Sequence, residues 1–104
     1  MYKFLTQQKK KFVLSKQLLR SGTAVGALIR EAEQAESKAD FIHKMAIAQK
    51  EASETDYWIE LLYQSDYIDV KIYESIFVDI NEIRKLLASI IITSKQNKKQ
   101  ERVS

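Results

Sequence analysis

A chain of 104 residues with no cysteine, no proline, two glycines and one histidine has room for one domain and excludes disulfides, thiolate catalysis and sulfur-based zinc sites. Its formal charge of +3 is unevenly spread: residues 1–20 carry six basic residues and no acid, residues 21–82 five basic against thirteen acidic, and residues 83–104 six basic against one. Two basic ends thus flank an acidic middle, a pattern that suits either a polyanionic partner or two solvated termini.

Apolar runs such as Leu86–Ile92, broken by Ser89, fall far short of the roughly 20 residues that cross a bilayer. No signal-peptide pattern opens the chain, so a cytoplasmic protein without membrane contact is expected.

Met1–Thr6 (MYKFLT) reads as a helical stub with Tyr2 and Leu5 apolar, and Gln7–Lys11 (QQKKK) as a solvated connection. From Phe12 onward, Leu14, Leu18, Val25, Ile29 and Ala32 recur at spacings of three, four or seven, the stripe of an amphipathic helix over about 12–35. Gly22 and Gly26 sit inside that helix, each costing about 1 kcal/mol of propensity against alanine. With Ser15, Ser21 and Ala32 they make a small-residue surface on which a neighbouring backbone can approach closely, which marks Gly22 and Gly26 as candidate assembly residues.

Ser37-Lys38-Ala39-Asp40 is a helix start: Ser37 can accept from the backbone N–H of Asp40, and Asp40 complements the helix dipole. Phe41, Met45, Ala48, Ala52, Thr55, Ile59 and Leu62 then alternate by four and three, widened by Ile42, Trp58 and Leu61, over a helix of about 38–65. After a turn near Asp66–Asp69, the series Ile76, Ile80, Ile83, Leu87 and Ile90 gives a third helix of about 70–97. Its β-branched residues would suit a strand, but strict alternation is absent and the length favours helix. Residues 98–104 are polar and are expected to fray into a disordered tail. The whole is read as a single all-α domain over 1–104, an up-and-down bundle whose first helix is truncated to the stub at 1–11.

Few residues carry chemistry. His43 has no helical ligand partner except Asp40, and is expected at a surface or boundary position with its ring satisfied. Glu31, Glu33, Glu36, Glu51, Glu54 and Asp56 lack the Glu-x-x-His spacing of bundle di-metal sites, and read as a solvated acidic face. No catalytic, cofactor or metal residues are assigned. Trp58, Tyr57 and Tyr63 read as core or as interface anchors, Trp58 being the candidate for assembly. Lys9, Lys10, Lys11, Lys16 and Arg20 form the basic element best placed for phosphate, without interleaved aromatics for base stacking, so RNA or DNA contact there would be independent of sequence and sensitive to salt.

The segment FVLSKQLLRSGTAVG, the stretch ESKADFIHKMAIAQKEASET and YWIELL together resemble the family of bacterial 23S rRNA intervening-sequence proteins, over about Phe12–Ile92. The resemblance implies a left-handed up-down-up-down four-helix bundle, commonly a homopentamer, encoded within insertions of large-subunit rRNA genes. It also implies similarity to an accessory protein of diversity-generating retroelements, a basic pentamer that binds nucleic acid and a reverse transcriptase. There are no catalytic residues in the family to carry over.

Two departures stand out. Members usually have a full helix before the segment matching FVLSKQLLRSGT, where this chain has MYKFLT, and they tend to have asparagine where it has Leu28. A bundle short of one helix exposes an apolar groove. The expected function is therefore non-enzymatic self-assembly with RNA or DNA contact, or alternatively an interaction subunit whose groove accepts a partner helix.

Overall fold

In a computed structural model the backbone of residues 2–103 and the side chains of residues 6–99 are described. The described residues form three helices: α1 (Tyr2–Glu33), α2 (Lys38–Gln64) and α3 (Val70–Val103). The all-α class and the three long helices follow the apolar periodicity, but two boundaries differ from expectation. The first helix begins at Tyr2 and runs through Gln7–Lys11 unbroken, so residues 2–11 of the expected stub and connection are its opening turns, Met1 lying outside the described residues. Lysine and glutamine are good helix formers, and nothing in that segment breaks a helix. The expected tail at 98–104 is likewise helical to Val103, for the same reason; Ser104 lies outside the described residues.

α2 starts and stops on local chemistry. Ser37 is its N-cap in extended conformation, and its hydroxyl accepts from the Asp40 N–H at 3.0 Å, as the sequence indicates. At the other end the Tyr67 N–H donates to the Leu62 carbonyl and the Asp66 N–H to that of Tyr63, closing a Schellman turn with Asp66 at φ 62°. Asp69 then opens α3, its carboxylate accepting from the Ile72 N–H at 2.8 Å.

α1 and α2 are antiparallel. Glu31 meets Lys44 near the connection, while Ser21 meets Thr55 further from it on both helices. Counting on from the Ser21–Thr55 pair, the end of α2 lies opposite Phe12, so residues 2–11 overhang it by about 15 Å. That overhang helps draw the molecule out to 68 × 23 × 15 Å.

α2 is the central helix. α1 and α3 both pack on it, yet among the described residues no Cα of α1 lies within 8 Å of one in α3. Met45, Ala48, Ala52, Thr55, Ile59 and Leu62 are all buried. Ala48 and Ala52, with no exposed surface, let both outer helices approach closely, and the core is completed by Val25 and Ala32 from one side and Ile80, Leu87 and Ile91 from the other. Leu28, the position where asparagine is common, packs half-buried against this cluster as an apolar residue should.

Candidate interaction surfaces

The basic element does not act as one unit. Lys9, Lys10 and Lys11 lie exposed on the overhang, and Lys16 is exposed one to two turns further in. Arg20 is committed within the fold: its guanidinium donates to Glu54 at 2.8 Å, to Glu51 at 3.4 Å and to Gln17 at 3.0 Å. It ties α1 to α2 while remaining exposed, unlike the lysines of the set, which are exposed with no such tie among the described residues.

Gly22 and Gly26 are both exposed, and a Cβ built at either would meet nothing within 4 Å. Within the chain, then, no backbone approaches them closely; the space beside them is open. Gly22 lines a shallow cleft of about 410 Å³ with Ser15, Leu18, Leu19, Thr23, Thr55 and Ile76. That cleft runs between α1 and α3 over α2, where the expected groove falls. Its walls carry Leu19, 72 % exposed, while Ile76 is half-buried.

Ser21 was legible only as a small residue, but it is wholly buried. Its Oγ lies 2.9 Å from Thr55 Oγ1, which is also 2.9 Å from the Glu51 carbonyl, while Ser21 Oγ is 3.2 Å from the Leu18 carbonyl. With one proton each, one hydroxyl donates to its own helix and the other donates across to its partner.

Trp58 is half-buried, with its ring edge-on to Tyr57 at 5.0 Å. Its buried Nε1–H has no acceptor among the described residues. Tyr57 itself is exposed, whereas Tyr63 stacks on Tyr73 at 4.4 Å and Tyr73 leans on Phe77 at 5.6 Å, an aromatic ladder joining α2 to α3. Partial desolvation in that ladder, and then the carboxylates of Glu60 and Asp56, hold the Tyr73 phenol above its ordinary pKa. Gln64 donates to Glu60 at 3.2 Å along the same helix. His43 is exposed, and the described residues hold no cluster of three metal-ligating side chains.

What sequence periodicity did not separate is the outward apolar set. Phe12, Val13 and Leu19 on α1, and Val70, Ile72, Val78, Leu86 and Ile92 on α3, are exposed. They are the apolar residues left over once the inward stripe is assigned, and that excess over one stripe is the signal that could have found them. No helix of the described residues is long and apolar enough to cross a membrane.

Three long helices with short connections, packed around a central alanine-bearing helix, define a helical-bundle protein. The chain belongs to the family of 23S rRNA-intervening sequence proteins, whose model matches residues 1–89 and so takes in the opening turns of α1. It is also similar to a protein with unknown function from the S23 ribosomal protein family of Bacteroides thetaiotaomicron VPI-5482, solved in a crystal at 1.70 Å. That structure is 63 % identical, covers 86 % of this chain and 83 % of its own, and superposes with a TM-score of 0.77. No curated protein matches the chain.

Proposed function

We propose that this is a non-enzymatic assembly protein: three helices of an up-and-down, left-handed four-helix bundle that associates with further copies of itself, the homopentamer being the form the family resemblance suggests. One observation carries the reading. The chain exposes 7684 Å², whereas a compact monomer of 12.1 kDa exposes about 6,000 Å². The excess of roughly 1,700 Å² is about twice what one partner contributes to a standard interface. Light scattering on the purified chain is expected to give a multiple of 12.1 kDa at micromolar concentration; a monomer under those conditions overturns the proposal.

The cleft between α1 and α3 supports a second reading, in which a partner helix lays its apolar face there as the bundle's fourth member. Stoichiometric recovery of one partner, with the chain itself monomeric, would favour that reading over self-assembly. Sequence-independent RNA or DNA contact is supported by Lys9, Lys10, Lys11 and Lys16, exposed and with no carboxylate partner among the described residues. Binding that does not weaken as salt is raised would contradict it.

A further inference from the structure

We infer that copies of this chain join by packing the outward face of α1 against the outward face of α3 from a second copy, the two helices parallel. This rests on the self-assembly reading and specifies its interface. On α1, Phe12, Leu19, Gly26 and Glu33 are spaced by seven; on α3, so are Val78, Lys85, Ile92 and Lys99, and all eight are exposed. Residues spaced by seven hold one line along a helix that supercoils on another, so each set is a seam.

Laid parallel with Phe12 beside Val78, the seams agree along their length. Lys16 falls beside Glu82, Thr23 beside Ser89, and Glu33 beside Lys99, each of these exposed. Ile92, 57 % exposed, comes opposite Gly26, where a Cβ would meet nothing within 4 Å. A large side chain thus faces the open space left by a missing one. Leu19 lies along the methylene stem of Lys85, whose ammonium reaches solvent.

Orientation is decided by charge. α1 is basic in its first half and bears Glu31 and Glu33 beside Arg30 at its end, while the first half of α3 carries Glu74, Asp79 and Glu82 against Lys71 and its second half ends with Lys95, Lys98 and Lys99. Parallel packing sets opposite charges together at both ends. The antiparallel arrangement through the same residues puts Lys16 beside Lys95, and Phe12 beside Lys99, which is repulsive or apolar against charge.

Within one chain this complementarity is unused. The described interhelical ion pairs of α1 and α3 all go to α2: Arg20 with Glu51 and Glu54, Glu31 with Lys44, and Arg84 with Asp56. Among the described residues no Cα of α1 lies within 8 Å of one in α3. The contact also uses two different faces, so it is head-to-tail and each copy offers two patches. Two patches are what the excess exposed area amounts to.

Light scattering and sedimentation on the full chain test the pairing. Lys16→Glu and Glu82→Lys are each expected to weaken assembly by roughly tenfold or more in dissociation constant, and the double variant to restore most of it. Gly26→Leu is expected to break assembly while leaving the melting temperature of the dissociated chain unchanged or raised, because the space beside it is empty and leucine is the better helix former. A wild-type chain that is monomeric removes the self-assembly reading together with this one. A wild-type assembly indifferent to the single reversals, or not restored by the double, overturns the α1–α3 pairing alone.

Discussion

The two sides of α2 are held by different physics. Its contact with α1 is a polar clasp: the buried Ser21–Thr55 hydroxyls, Arg20 on Glu51 and Glu54, and Lys44 on Glu31. Its contact with α3 is chiefly apolar, with Ile80, Leu87 and Ile91 on the alanines of α2 and the Tyr63–Tyr73–Phe77 ladder, and Arg84–Asp56 is the ion pair across it. Hydroxyl pairs and forked guanidinium contacts are satisfied in one register only, whereas aliphatic side chains give up little on a small slide. The α1–α2 side thus sets alignment, while the α2–α3 side rests on aliphatic and aromatic burial with little polar guidance.

The largest expected effect therefore lies on the α3 side. Leu87 is 2 % exposed among Ala48, Ala52 and Ile91. Leu87→Ala should cost about 2–5 kcal/mol in denaturant unfolding, the lost transfer energy plus the cavity. Its neighbour Leu86 is 60 % exposed, and Leu86→Ala should stay within about 0.5 kcal/mol. Equal losses at both positions would mean that α3 does not present the inward face described.

On the α1 side a smaller and differently shaped effect is expected. Ser21→Ala removes one member of the buried hydroxyl pair but leaves Thr55 able to donate to the Glu51 carbonyl, so no donor is orphaned. The loss should be about 1 kcal/mol by the same measurement. If it reaches the size of the Leu87→Ala loss, the polar clasp is the main source of stability and the contrast between the two sides is wrong.

How much of this was legible beforehand depends on what kind of residue carried it. The α2 stripe could be read residue by residue, because apolar side chains at one helical period have one place to go, and Ser37 followed by Asp40 is a local signal. By contrast QQKKK resembles a connection only because it is polar; polarity marks exposure and not the end of a helix. Arg20 could not be told from its neighbouring lysines, since its role comes from Glu51 and Glu54 more than thirty residues away. The αL turn at Asp66 was hidden for a related reason: glycine is the usual occupant, and aspartate merely tolerates the position.

The last and smallest effect lies at the aromatic ladder and depends on pH. The Tyr73 phenol is raised first by partial desolvation and then by Glu60 and Asp56 on the facing helix. A phenol whose folded pKa lies above the unfolded value of about 10 favours the folded state only as the neutral form. Its contribution is fully present below about pH 10 and is lost as pH rises through the folded value, so alkali loosens the α2–α3 side at this ladder while the Ser21–Thr55 pair, which does not titrate there, is untouched. Phenolate absorbance should accordingly show one late-titrating tyrosine that Tyr73→Phe removes, and Glu60→Gln should bring that step back toward the ordinary value. The fall in melting temperature above pH 10 should be shallower in Tyr73→Phe than in the parent chain. A Tyr73 that titrates with or before the other tyrosines would place it outside the field of the α2 carboxylates and break the ladder as described.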